Sequence, residues 1–170
     1  MIRESARLVL RLARRDDAAF LLKIVNQASW IRHIGDRKVR TLEDAERYVD
    51  TRMLEPVRKH GFGMYVIELK ASGAPVGLCG LVKRDTLPDP DLGFALLDEH
   101  AGHGYALEAA EAMLHHARET LKIARLLAIT SPANARSEKL LGKLGFRLDD
   151  APHVNPEGEH LNLWSRCFGP

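Results

Sequence analysis

The sequence predicts a single domain of the α+β (mixed α/β) class, a mixed sheet with helices on its faces. Three observations predict it. The apolar period changes repeatedly between the helical and the strand repeat. The elements read in the order β-α-α-β-β-β-α-β-α-β-β, and mixed order of this kind points to helices layered on one sheet. The 170 residues contain no internal repeat, linker or low-complexity segment, and that length is one ordinary domain with a real core.

LVLRL, Leu8 to Leu12, is a short first strand. From Asp16 to about Asn26, Ala19, Phe20, Leu22, Ile24 and Val25 suit an amphipathic helix. SWIRHIGDRKVR is less regular. In TLEDAERYVDTRMLEPVRKHG, Thr41 is an N-cap, and Glu43 and Asp44 place negative charge where the helix dipole favours it. Pro56 bends or ends that helix before Gly61. Met64 to Lys70 and Val76 to Arg84, joined by SGAP, form a hairpin, and Asp91 to Leu97 is a third strand of this group. A long helix runs from Gly104 to about Leu121, with Ala106, Ala109, Ala110, Met113, Leu114, Ala117 and Leu121 at helical spacing. Arg125 to Ser131 is a strand, NARSEKLLGKLG a shorter helix stopped at Gly145, and FRLDD and HLNLWSRCF two last strands.

Bulk properties exclude several function classes. A net charge of +2 gives no reason to expect nucleic acid. Arg11, Arg14 and Arg15 are followed at once by Asp16 and Asp17, which reads as a solvated helix start rather than a basic stripe. No run approaches the roughly 20 apolar residues of a membrane span, and the N-terminus lacks a long apolar stretch before a cleavage site, so we expect a cytoplasmic protein. Cys79 and Cys167 have no metal-type spacing and make no disulfide framework; Cys79, in an apolar run, reads as a core residue. His115 and His116 diverge around a helix, and His100 and His103 lack further ligands nearby, so no metal is expected.

The stretch DEHAGHGYALEAA, Asp98 to Ala110, carries the chemistry. A strand, a glycine pair and a helix start make an anion site, because first-turn amides have no internal partner and the dipole adds positive potential. Glycine allows a positive φ and a close approach of phosphate to the backbone. The alternative is a tight turn that binds nothing. The dinucleotide fingerprint fails, because Leu107 stands where its third glycine should be. The ATP-type loop fails too, because Gly142–Lys143 is followed by Leu144.

HAGHGYALEAA resembles the acetyl-CoA pyrophosphate loop of the GNAT superfamily of N-acetyltransferases, whose pattern Gln/Arg-x-x-Gly-x-Gly/Ala falls on Ala101, Gly102, His103, Gly104, Tyr105 and Ala106. The wider run, with Glu108, is similar to the ribosomal-protein N-terminal acetyltransferase-like (RimJ/RimL-type) branch. SPANARSEKLLGKLGF resembles that branch's second motif, Asn-x-x-Ser before a helix and Leu-Gly-Phe, at Asn134 and Ser137. SWIRHIGDRKVRTLEDA and CGLVKRDTLPDPDLGFALL are also similar to a bacterial subgroup, so the resemblance covers almost the whole chain.

The resemblance implies a strongly twisted, mostly antiparallel sheet of about seven strands with flanking helices, in which Asp91–Leu97 and Arg125–Thr130 diverge to make a slot for pantetheine. It implies that the backbone of Ala95, Leu96 and Leu97 pairs with pantetheine and that the loop Ala101–Ala106 cradles the pyrophosphate. The implied activity is direct transfer of acetyl from acetyl-CoA, as co-substrate and without a metal, to a protein N-terminus or a small amine. The alternative is an acyl-CoA-binding sensor or interaction module without turnover. Monomer and homodimer both fit. Asn134 would lie near the pantetheine arm and Ser137 would protonate the departing thiolate; equally, Asn134 caps the helix and Ser137 sits in its first turn. Asp91 is the first candidate for the base and Glu68 the second; the other reading of Asp91 is a loop-end residue bonded locally after Pro90. Trp30, Arg32, His33 and Arg37 lie where relatives build the acceptor wall, or are a packed Trp with surface charges. Two positions depart from the family: Ala101 replaces the usual Gln or Arg, and Leu141 replaces a frequent tyrosine acid.

Overall fold

The computed structural model describes residues 1–169. Nine strands form a mixed sheet: β1 (Arg3–Glu4), β2 (Leu8–Arg11), β3 (Met64–Leu69), β4 (Pro75–Val82), β5 (Asp91–Leu96), β6 (Arg125–Thr130), β7 (Arg147–Leu148), β8 (His153–Val154) and β9 (His160–Cys167). The order is β1-β2-β3-β4-β5-β6-β9-β7, with β8 also on β9. The α+β class and the mostly antiparallel sheet agree with expectation. The two strands beyond the expected seven, β1 and β8, are two-residue pairings without a period of their own; partner strands define them.

Among the described residues six α-helices cover the two faces: α1 (Ala18–Asn26), α2 (Ala28–His33), α3 (Leu42–Tyr48), α4 (Glu55–His60), α5 (Tyr105–Glu119) and α6 (Ala135–Lys143). One core packs α5 and α6, through Ala110, Met113 and Leu141, against Ile67, Cys79, Leu92 and Leu126. The other packs α1 to α3, through Leu21, Trp30 and Ala45, against Val66, Leu78 and Leu97. The irregular stretch SWIRHIGDRKVR therefore contains a short helix, α2, too brief to show a period. Thr41 caps α3 as expected: its hydroxyl accepts from the Asp44 amide while the Asp44 carboxylate accepts from the Thr41 amide. Between α3 and α4 the helix widens into a π-turn, Val49–Leu54, directly ahead of Pro56, whose missing N–H cannot continue the ladder.

The solvated helix start proposed for Arg11 to Asp17 is corrected. Arg11 and Asp17 are both buried and form a two-pronged pair at 2.8 Å and 2.8 Å, and Arg11 also donates to Glu68. Burial opposes the charge of Asp17, but Arg11 and the Arg14 amide outweigh it and bring its pKa below the ordinary value. The strand places Arg11 beneath the helix start, which neighbouring letters do not reveal.

Candidate active site

The site begins where the sheet comes apart. β5 and β6 are parallel, and their ladder holds a single residue pair, Asp91 with Leu127. The Leu127 amide donates to the Pro90 carbonyl, 3.0 Å, and beyond that point the strands separate. On its other edge β5 stays fully paired with β4, from Val82–Asp91 to Gly77–Leu96. The Leu97 amide donates to Val76 on that edge, 2.8 Å, so antiparallel alternation turns the backbone groups of Ala95 toward β4 as well. It turns those of Phe94 and Leu96 toward the split. The Leu97 carbonyl is also engaged, by the His100 amide. Of the expected trio Ala95, Leu96 and Leu97, only Leu96 turns its backbone toward the slot, its carbonyl already accepting from Gln27 at 2.7 Å, and Phe94 joins it. A strand's edge assignment has a period of two, and the letters do not fix its phase.

The open end of the slot leads into the glycine loop. After a 3₁₀ turn, Asp98–His100, Ala101 is extended and its amide donates to Asp98, 3.2 Å. Gly102 and Gly104 then take φ of +83° and +79°, the left-handed region that an L side chain enters only with strain. The first helical bond runs from Glu108 back to Gly104. Among the described residues, the amides of Gly102, His103, Gly104, Tyr105, Ala106 and Leu107 have no protein partner. Ala101 thus adds no free amide, and Leu107 extends the row. These N–H groups at the start of a four-turn helix suit an anion.

Residues far back in the sequence brace this loop. Glu108 accepts from the Ser5 hydroxyl, 2.6 Å, the Arg7 amide, 2.8 Å, and Arg7 Nε, 2.7 Å. Arg7 Nη1 donates to the His103 carbonyl, 2.9 Å, and its guanidinium lies over the Tyr105 ring. His103 also stacks with the Tyr105 ring, with ring centroids 5.5 Å apart. Because C=O and N–H of one trans peptide point opposite ways, holding the His103 carbonyl toward Arg7 turns the Gly104 amide away from it. Burial works against the Glu108 charge, but Ser5 and Arg7 outweigh it and lower its pKa. The family-like Glu108 is therefore a brace between the β1–β2 turn and the loop.

At the closed end, Asp91 is 1% exposed and accepts from Arg84 Nε, 2.9 Å. Burial pushes its pKa up, while Arg84 and then His153 oppose the rise. Alternation places Asp91, Gly93 and Ala95 on the face covered by α1 to α3. Glu68 lies elsewhere. It pairs in register with Pro75, near the far end of β4, whereas Asp91 pairs with Val82; its carboxylate is held by Arg11. The second base candidate is thereby removed from the split and tied into a structural ion pair.

Asn134 caps α6: its side-chain oxygen accepts from the Ser137 amide, 3.2 Å. The cap uses the Ser137 backbone and leaves the hydroxyl free of any protein hydrogen bond among the described residues. Behind it, Glu138 accepts from Thr130 and Asn162, and the Trp164 indole donates to Thr130, 3.0 Å. This network, unread in the sequence, fixes the start of α6 against the ends of β6 and β9. Leu141, one turn on, is fully buried in the core.

The α1–α2 junction closes over the end of β5. Gln27 donates to the Leu96 carbonyl, 2.7 Å, and accepts from the Asp98 amide, 3.1 Å; Ser29 donates to Asp98, 2.7 Å. No motif marks Gln27. The buried side-chain polar atoms without a partner among the described residues are Trp30 Nε1 and His33 Nδ1, both on α2. Arg32 is exposed. Trp30 is packed in the core, yet its N–H is unsatisfied, which is uncommon for a buried donor. The described residues contain no cluster of three or more His, Cys, Asp and Glu side chains suited to a metal, and no helix long and apolar enough to cross a membrane.

Comparison with known proteins identifies the family and the fold. The profile of the acetyltransferase (GNAT) domain matches residues 7–147. The chain belongs to the GNAT acetyltransferase family. It is 33% identical over 106 residues to YjdG of Bacillus subtilis (strain 168), named an uncharacterized N-acetyltransferase, covering 59% of this chain and 58% of that one. It is 28% identical over 89 residues to the uncharacterized protein YkkB of the same organism, and spans 52% of its length, so the chain matches little more than half of these curated relatives. Among solved structures, an acetyltransferase from Agrobacterium tumefaciens superposes with a TM-score of 0.82 at 26% identity, covering 97% of this chain and 93% of that one. The RimL ribosomal L7/L12 α-N-protein acetyltransferase in complex with coenzyme A gives 0.80 at 18% identity over 96% of each chain, a likeness of fold.

Proposed function

We propose that the protein is an acetyl-CoA-dependent N-acetyltransferase acting in the cytoplasm, passing acetyl directly to a primary amine, either a protein N-terminal α-amine or a small-molecule amine. The observation that carries the reading is the split between β5 and β6 with the row of unpartnered amides at its open end. In this reading the amides from Gly102 to Leu107 hold the pyrophosphate, and the backbone of Phe94 and Leu96 orients the pantetheine arm. The acetyl group then reaches the closed end beside Asp91. The acceptor comes from the α2 side, where Trp30 Nε1 and His33 Nδ1 await polar partners.

The neutral amine attacks the thioester carbon. A C–N bond forms, the carbonyl pair moves onto oxygen, and a β5 amide facing the split stabilises that charge. Collapse of the intermediate breaks the C–S bond. The proton lost by nitrogen passes to Asp91, whose raised pKa makes it a better base than an exposed carboxylate. The thiolate takes a proton from Ser137, which recovers one from solvent. An α-amine, with a pKa of about 8, needs less help from a base than a lysine at about 10.4.

The test is thiol release from acetyl-CoA against a panel of amines and N-terminal peptides, with a CoA-induced rise in melting temperature measured alongside. Release with at least one acceptor is expected. A thermal shift without release from any acceptor supports the non-catalytic acyl-CoA module instead, and no shift at all removes the CoA site.

A further inference from the structure

A second concentration of positive charge lies away from the CoA loop. The segment after α2 and the outer side of α3 and its π-turn border a shallow, open cleft of about 220 Å³, lined by Arg37, Lys38, Arg47, Tyr48 and Arg52, with Asp44 as its one carboxylate. Asp44 is already engaged, by the amides of Arg40 and Thr41 and by Arg47. Two further acids are engaged, Asp36 by Arg40 and Asp50 by Arg15, while Glu43, Glu46 and Glu55 on the same helices lie outside the cleft lining. Among the described residues Arg37, Lys38 and Arg52 form no ion pair. Arg37 and Arg52 both bear on the half-buried Tyr48 phenol, whose pKa burial raises and these cations pull back. Lys38 is held at a φ of +56°, which is uncommon for a residue other than glycine.

We propose that this cleft binds the carboxylates of an acidic peptide segment, the part of a protein acceptor that trails its reactive amine. The acceptor role rests on the acetyltransferase reading; the binding of the acidic segment does not. The cations are spread along the cleft rather than gathered round one centre: Arg37 and Lys38 lie on the segment after α2, Arg47 on α3 and Arg52 on the π-turn that follows it. That spacing suits successive carboxylates on a chain. Free phosphate favours a compact nest of amides, as at Gly102–Leu107. Single-stranded nucleic acid favours exposed aromatic rings for stacking, and the Tyr48 ring is packed against the core. The cleft is also fixed relative to the slot. Asn26 donates to the Val39 carbonyl, 2.8 Å, and accepts from Arg40, while the next residue, Gln27, holds the Leu96 carbonyl.

The experiment compares two peptides that share an N-terminal residue, one followed by four glutamates and one by four glutamines. Binding is measured by calorimetry with CoA saturating, so that the amide row is filled. At low salt the acidic peptide is expected to bind about ten-fold tighter, as a few exposed ion pairs supply. The difference should shrink by 300 mM salt. It should vanish in Arg37→Gln/Arg52→Gln, whose side chains are exposed in the wild type and whose melting temperature is checked in parallel. Equal affinity for the two peptides, or a preference that survives in the double variant, overturns the proposal. So does tighter binding of inorganic phosphate or of a single-stranded oligonucleotide through the same arginines. If CoA gives no thermal shift while the peptide preference holds, the cleft stands and the acetyl-transfer reading falls.

Discussion

Gly104→Val separates the strain of a backbone conformation from the loss of an anion site. Gly104 is the N-cap of α5, with φ +79° and ψ +9°, and an added Cβ would meet only Arg7 Nη2, at 3.5 Å. Steric crowding inside the protein is therefore small. The cost to folding comes from holding a β-branched residue in the left-handed region, about 2 kcal/mol, with a drop of roughly 4–8 °C in melting temperature for a chain of this size. Binding suffers separately. A residue that leaves the left-handed region at this position turns the peptides flanking it and with them the amides of Gly104 and Tyr105, and losing one hydrogen bond to a charged group costs about 1.5–3 kcal/mol, roughly a 10- to 100-fold rise in the Kd of CoA. Gly61 supplies the control. It has nearly the same backbone, φ +79° and ψ −1°, with nothing within 4 Å of an added Cβ, and it ends α4 far from the loop. Gly61→Val should lower the melting temperature by a similar amount and leave CoA affinity unchanged. The assay is calorimetric titration of CoA with thermal melts of all three proteins. If Gly104→Val melts early but binds CoA like the wild type, or if Gly61→Val weakens CoA equally, the amides of this loop are not the phosphate cradle.

Further outcomes follow from the same geometry. Ser137→Ala should keep the wild-type melting temperature, because the cap on Asn134 uses the Ser137 amide, and should lower kcat about 100-fold if the hydroxyl protonates the thiolate; an unchanged kcat assigns that proton to solvent. Asp91→Asn should cut kcat more at low pH than at high pH, since an amine already neutral no longer needs the base; a uniform loss across the pH profile makes Asp91 structural. Glu108→Gln should raise the KM for acetyl-CoA more than it lowers kcat, because it releases Ser5 and Arg7 and with them the His103 carbonyl; a pure kcat effect would contradict the brace. Asp17→Asn leaves Arg11 buried with only Glu68 and should destabilise the fold by about 3 kcal/mol. Because the Asp17 pKa is lowered on folding, its contribution is present above the unfolded value near 3.8 and fades as pH falls through the lower folded one, so urea melts of wild type and variant should begin to converge only as pH drops below about 3.8.

The glycine loop was legible because its requirement is local: a positive φ at Gly102 and Gly104, directly before a helix, depends on a few adjacent letters. The Asn134 cap and the Thr41 capping box were legible for the same reason. Misread positions depended on partners distant in sequence. Arg11 looked solvated beside Asp16 and Asp17, yet the strand buries it with Asp17 and Glu68. Glu68 looked available until the register with Pro75 put it at the wrong end of the hairpin. Ala95 and Leu97 looked equivalent to Leu96, because alternation along a strand has a phase that only the pairing with β4 sets.

By itself, then, the sequence determined the α+β class, most elements to within a few residues, the family likeness, and the two short motifs at Gly102–Gly104 and Asn134–Ser137. These follow from local propensities, caps and periods, which act over fewer than about ten residues. Tertiary structure decided what crosses the fold: the single rung at Asp91–Leu127 from which the slot opens, the orientation of Phe94 and Leu96 toward it, the Ser5–Arg7–Glu108 brace, and the hold of Gln27 on β5. Ser5 and Glu108 are 103 positions apart. Their contact exists only because β1 and β2 pack under α5, and packing of that kind is a property of the closed chain rather than of any segment.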